Sequence, residues 1–272
     1  MALIITEEEK MLKDSAKELL STKSPVSKMR QLRDNKYSPF DQVLWEEIVA
    51  MGWTALTVPG SYNGLDFGFV GLGQILEETG RNLSKSPLIS SILLGSSALR
   101  LSDNEALKKK LFPVLMDGTS QLALAIQEGK HHQITSFKTH AILEGENYII
   151  NGSKTLVIDG STADQLIVVC QVDENLKLLK VNANSKGIII SKKILMDAGT
   201  YADIKFKNVK VSIMNQLNIK LDGREFLDHL MAIAYVGISA EILGICKQAF
   251  DCLLYTSPSP RDRTRSRMPS SA

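Results

Sequence analysis

Along the first hundred residues the apolar positions recur at helical spacing. Thr6-Glu7-Glu8-Glu9 forms a capping box, and Met11, Leu12, Ala16, Leu19 and Leu20 follow as one stripe. Ser21 to Pro25 ends that helix. Pro39-Phe40-Asp41 opens a second, with Asp41 as N-cap, Phe40 stapled onto Trp45, and Val43, Leu44, Ile48 and Val49 on its face. It stops near Gly52, and a loop runs from Val58 to Leu65. The pattern predicts further helices over Val70 to Gly80, Leu88 to Leu101, and Asn104 to Met116 behind Ser102 or Asp103. Residues 1–118 therefore read as an all-helical domain of about five helices.

The period then changes. Asn151-Gly152 is the dipeptide of a two-residue hairpin turn, flanked by Tyr148, Ile149 and Ile150 before it and Leu156, Val157 and Ile158 after it. Asp159-Gly160 breaks the second run, and Leu166 to Cys170 forms a third. Leu178 to Val181, Ile188 to Ser191 and Ile204 to Phe206 add short runs bounded by turn residues. Residues 119–216 read as a β domain, a barrel or a pair of packed sheets. Leu221 then begins a long helix, the start of a third domain over residues 217–253. From Met231 to Cys246 it is apolar on nearly every face. Glu241 and Lys247 within it each cost about 2–3 kcal/mol at bilayer depth, so burial in a helical bundle is expected rather than a membrane span. The fold class is thus α+β: a helical domain, a β domain, and the first helix of a bundle.

Composition changes this picture little, once the terminus is set apart. Residues 254–272 lack apolar periodicity and carry arginine at 261, 263, 265 and 267. The string resembles translated sequencing-adapter DNA and is excluded from fold reasoning. It carries net +3 of the chain's formal +2, leaving the rest near −1, so no nucleic-acid partner is expected. Cys170, Cys246 and Cys252 have no metal-ligand spacing and are expected as buried, reduced thiols of a cytoplasmic protein. No metal site and no signal peptide are predicted.

The order of domains, and the wording within them, resembles the acyl-CoA dehydrogenases. Trp45 to Trp53, the loop V-P-G-S-Y-N-G-L, Glu77 to Arg81 with Pro87-Leu88, G-E-N-Y-I-I-N-G-S-K, A-D-Q-L-I-V-V and Ala202 to Val211 resemble segments of that family in the family's order. The closest wording is that of small or partner subunits of heteromeric types acting on pimeloyl-CoA or steroid side chains. The resemblance implies FAD, an acyl-CoA substrate dehydrogenated to a 2,3-enoyl-CoA, reoxidation by an electron-transfer flavoprotein, and a homo- or hetero-oligomer. It places the family's catalytic carboxylate in the third domain, beyond Cys252, so no catalytic residue is named in this chain.

The resemblance also implies the cofactor-contacting set: Ile126, Gln127 and Glu128 at one strand end, and Leu156, Val157 and Ile158 at another. Here the chain departs from the family. Gln127 stands where the family has a flavin-contacting Thr, and Gly129 replaces Pro. Leu156 and Ile158 stand at the family's Trp and Thr, and Ile158 has no hydrogen to donate. These losses leave an alternative open, a flavin-deficient subunit that completes an active neighbour. Three smaller features have bland readings beside sharp ones. Glu77-Glu78 reads as a solvated helix face with a glutamate pairing Arg81, and His131-His132 as a solvated loop pair or substitute phosphate donors. Glu128 reads equally as cleft-lining or surface.

Overall fold

The computed structural model describes residues 5–34, 39–131, 134–197 and 199–256, the side chains of Ile194 and Thr256 excepted. His132 and the arginine-rich tail lie outside the described residues.

The helical region opens on α1, Glu7–Lys23, whose box is formed as the sequence predicts: Thr6 Oγ1 accepts from the Glu9 amide at 3.2 Å and Glu9 accepts from the Thr6 amide at 2.8 Å. A helix that the pattern misses, α2, spans Val26–Asp34; its short stripe of Val26, Met29 and Leu32 is only half-buried, and no residue of it is fully buried. Asp41 caps α3, Gln42–Ala50, and Phe40 meets Trp45 edge-on with ring centroids 6.3 Å apart. After α4, Phe69–Asn82, the predicted Leu88–Leu101 helix splits. Leu88–Ser96 is a wide π-helical stretch and α5, Ser97–Leu101, follows directly. For α6, Glu105–Met116, the cap is Asn104 itself, through its oxygen to the Leu107 amide. Ser102 and Asp103 are engaged elsewhere, on Leu217 O and on the Ile219 and Lys220 amides.

The seven strands form one curled mixed sheet rather than two. They are β1 Leu122–Ala125, β2 His140–Glu144, β3 Asn147–Ile158, β4 Gln165–Val172, β5 Asn175–Asn182, β6 Ile188–Ile194 and β7 Thr200–Ser212. Their order is β1-β4-β2-β3-β7-β6, with β5 also on β4; β1 and β4 run parallel. The hairpin falls elsewhere than Asn151-Gly152 suggests. The turn is Gly145-Glu146 between β2 and β3, and β3 runs straight through Asn151-Gly152. There β7 carries an extra residue, Asn208, at φ 50°, between the pairs Ile150–Val209 and Gly152–Phe206. Asn151 spans that bulge, accepting from the Asn208 amide at 2.9 Å. Gly152 is required by proximity, because a Cβ there would lie 2.6 Å from Thr139 Cα.

The last helix, α7, Gly223–Thr256, starts at Asp222, which accepts from the amides of Arg224 and Glu225. Phe226, Leu227, Leu230, Met231 and Ala234 are buried in the core shared by β1, β4, β5 and α6. Its later turns present Ile242, Leu243, Phe250, Leu253 and Leu254 outward, with Phe250 60% exposed. By length and composition Gly223–Tyr255 is able to cross a bilayer, but one face of its first half is buried in the core and it packs along α4. The crossing is close: a Cβ at Gly244 would lie 1.8 Å from Glu77 O.

This crossing corrects the reading of Glu77-Glu78 as solvated. The two residues are 6% and 3% exposed. Glu77 bridges Lys13 of α1 and Lys247 of α7, each at 2.6 Å, and Arg81 pairs with Asp251 of α7 at 2.8 Å. A helix surface that looks solvated in isolation is covered once α7 lies on it. The thiols need correction as well: Cys170 is buried, whereas Cys246 and Cys252 are exposed on the outer turns of α7.

Candidate functional site

The end of β3 shows how the site is shaped. Between Lys154–Ile204 and Val157–Ala202 the register slips by one residue, this time with the extra residue on β3. Leu156 occupies the bulge at φ 50°, in the left-handed region that a branched residue rarely adopts. The bulge turns Leu156 outward, 46% exposed, and sends Val157 inward. Thr155 ties the bulge to the segment after β1, its amide donating to Gln127 O at 2.8 Å and its hydroxyl to Gly129 O at 3.0 Å. Two strand ends distant in sequence are thereby joined.

Beside this junction lies a mostly apolar cavity of about 410 Å³. Ile126, Gln127, Leu156, Val157 and Ile158 line it on the sheet side; Met231, Ala234 and Ile238 of α7 face them. Leu94 of the π-helical stretch closes one end, and Lys130 and Tyr201 also reach it. Five of the six residues singled out from the sequence thus share one cavity. Glu128 is not among its lining residues; its carboxylate accepts from Lys154 Nζ at 2.6 Å and from the amides of Lys138 and Thr139. Lys154, 0% exposed, also donates to Ile126 O at 3.1 Å and sits 4.6 Å from the Phe137 ring centroid. Burial opposes the charge on Glu128, but Lys154 and the two amides outweigh it and hold the carboxyl below its ordinary value. Burial pushes Lys154 below the usual lysine range as well. The loop that carries Phe137 is clamped from α7, where Arg224 donates to the carbonyls of Ile134 and Thr135.

The walls from α7 and from the π-helical stretch were not foreseen, because strand wording carries no signal for what packs across from it. Lys154 was also missed. His131, proposed as a phosphate donor, is exposed, and its carbonyl accepts from the Gln127 side chain.

Residues 6–119 match the model of the acyl-CoA dehydrogenase N-terminal domain. The helical region thus carries an acyl-CoA dehydrogenase N-terminal domain. It is 22% identical over 258 residues to cyclohex-1-ene-1-carbonyl-CoA dehydrogenase of Geobacter metallireducens, covering 91% of this chain and 67% of that protein. To the mitochondrial short/branched chain specific acyl-CoA dehydrogenase of Bos taurus it is 24% identical, covering 95% of this chain and 61% of the relative. Among solved structures, the ChsE4-ChsE5 complex of Mycobacterium tuberculosis superposes with a TM-score of 0.85 at 19% identity, covering 100% of this chain and 70% of that one. The chain spans roughly three-fifths to two-thirds of the length of these curated acyl-CoA dehydrogenase relatives.

Proposed function

We propose that the 410 Å³ cavity receives the isoalloxazine ring of FAD and the acyl end of a thioester, within a subunit that oxidises an acyl-CoA to its 2,3-enoyl-CoA. The observation that supports this most is the convergence of the two strand ends on one apolar, helix-covered space. Its volume falls in the range of about 300–1,000 Å³ usual for small-molecule sites. Ile126, Val157 and Ile158 on one side and Met231 and Ala234 on the other make walls suited to a flat aromatic ring. Gln127 and Lys130 are among the polar groups that line it, an amide and a cation for the ring edge and the diphosphate. Bound flavin supplies the hydride acceptor for the β-carbon of the substrate. The chain's own residues exclude water from the reacting carbons and fix the ring's place. Exclusion of water matters because an α-proton is too weakly acidic for a carboxylate base unless the thioester carbonyl is polarised in a dry site. No residue of this chain is assigned as that base. The wider reading includes an electron-transfer flavoprotein as oxidant, an oligomeric assembly, and the cytoplasm as the compartment suited to the thiols of Cys170 and Cys246.

One observation favours a second reading. Ile158 and Leu156 give the ring neither a hydroxyl nor an aromatic wall, as a flavin-deficient partner subunit would. The absorption spectrum of the purified protein separates the two. Absorbance near 450 nm that is released on denaturation supports the flavin-bearing subunit. A colourless protein that takes up no added FAD, yet raises the activity of a co-purified paralogue, supports the partner.

A further inference from the structure

The β7 bulge that Asn151 spans also decides where lysines point. Residues three apart on a regular strand face opposite sides of the sheet. The extra residue, Asn208, breaks that rule: Phe206, Val209 and Val211 are buried, while Lys205, Lys207 and Lys210 all face outward. A second device brings another lysine to the same place. Gly187, at φ 94°, lets the turn between β5 and β6 press against β7. A Cβ there would lie 2.2 Å from Lys207 O, and the Lys207 amide donates to Gly187 O at 2.9 Å. Lys186 and Lys207 thereby border one space.

That space is an open hollow of about 690 Å³, lined by Ser185, Lys186, Gly187, Lys207, Asn208 and Lys210. Its chemistry is one-sided, with no carboxylate in the lining. None of the three lysines has an ion pair or hydrogen-bond partner among the described residues. Asn208 Oδ1 accepts from Asn151 Nδ2 at 3.0 Å, so what Asn208 has left to offer is its own N–H pair. Sheet neighbours ordinarily offset a row of like charges, and here they do not. Ile149 stands opposite Lys210, and Ser153 and Ile189 stand opposite Lys205. On β6, by contrast, Lys193 meets Asp203 at 3.1 Å, so this sheet pairs its charges where a carboxylate is in reach. General basicity does not supply the cluster either, because the chain without its tail is near −1. Three ammonium groups, an amide N–H pair and a hydroxyl form a set of donors without acceptors to match. The ligand that satisfies such a set carries acceptor oxygens and more than one negative charge.

We propose that the hollow at the β7 bulge binds a ligand bearing two or more phosphate groups, held by Lys186, Lys207 and Lys210. It lies toward the opposite end of β7 from Tyr201 and the 410 Å³ cavity, and the proposal is independent of the flavin reading.

Isothermal titration of the full chain with inorganic pyrophosphate, at constant ionic strength and without flavin, tests this. The expected result is saturable one-to-one binding, tighter than that of orthophosphate. K207Q and K210Q should each weaken it about fivefold or more, and K205Q less than twofold, because Lys205 shares their face of the strand but lies outside the hollow. N208D keeps an acceptor for Asn151 and sets a carboxylate in the hollow, so it should weaken binding as much as either lysine variant. All four positions are exposed, and circular dichroism checks that each variant keeps its fold. Absence of saturable binding overturns the proposal. So does a loss in K205Q equal to that in K207Q, the mark of diffuse surface charge holding an adventitious ion only. Sedimentation with phosphatidylcholine vesicles, with and without phosphatidylinositol bisphosphate, separates the two sources of the phosphates. Retention on the bisphosphate vesicles that pyrophosphate reverses assigns a lipid headgroup, and pyrophosphate binding without retention assigns a soluble ligand.

Discussion

Replacing Lys154 with Met keeps the length and apolar stem of the side chain and removes its charge. In the native site Lys154 Nζ serves Glu128 at 2.6 Å and Ile126 O at 3.1 Å, with no solvent exposure. After the substitution Glu128 is left with the Lys138 and Thr139 amides, in a site where its side chain is 12% exposed. Removing one partner of a buried pair typically costs about 3–5 kcal/mol. The two remaining amides place this case at the low end, and the orphaned Ile126 carbonyl adds to it, so the expected loss is about 3 kcal/mol. The E128Q/K154M double variant removes both charges, and about 2 kcal/mol of the loss should return as coupling. Urea unfolding at pH 7.5, read as a shift in midpoint at constant slope, measures both. Acid supplies a check of sign. Glu128 is held below its ordinary value in the native protein, so its contribution is present above the ordinary carboxylate range and disappears as pH falls through the native value. The penalty of K154M should therefore shrink as pH drops below about 4.5. A loss under about 1 kcal/mol, or a double variant no better than the single one, refutes the claim that this pair holds the Ile126–Glu128 segment in place.

Gly244→Ala should cost about 2–3 kcal/mol, because its Cβ would lie 1.8 Å from Glu77 O and must force α7 away from α4; thermal unfolding measures it. Glu77 is held below its ordinary value: burial opposes this, but Lys13 and Lys247 outweigh it, so E77Q should lower stability at pH 7.5, and that penalty should shrink as pH falls below about 4.5. Burial raises Glu78 instead, so E78Q should stabilise the protein at pH 7.5, the opposite sign in the same melting experiment. Ile158→Thr places a hydroxyl on the cavity wall and should tighten FAD by about 1 kcal/mol, roughly fivefold, in a flavin-fluorescence titration.

The sequence carried the helices with a buried stripe and a cap, and it lost the element without one. Thr6, Asp41 and the stripes of α1 and α3 marked their elements because capping and periodicity act within a few residues. α2 fully buries no residue, so its place is set by the chain on either side of it. The strands were legible, but Asn151-Gly152 misled because the same dipeptide that suits a turn also suits the residue facing a bulge. Half of the site was readable for a related reason. Tyr148 and Ile150 set a period of two that also places Lys154 on the inner face, a signal that was present and went unused. Beyond Lys154 the bulge at Leu156 inverts that period, and no local pattern announces it. Glu77, Glu78 and the cavity walls from α7 depend on which helix covers which face, information that lies far away in the chain, 170 residues in the case of Glu77 and Lys247.

The central claim is that the space between the β1 and β3 ends and α7 holds a flavin ring. The most direct measurement is a fluorescence-quenching titration of FAD with the wild-type chain and with Ile126→Trp, which fills the cavity from the sheet side. The account predicts saturable one-to-one binding by the wild type and its loss in the variant, with the fold of both confirmed by circular dichroism. Absence of binding in the wild type, or binding that Ile126→Trp leaves unchanged, contradicts it.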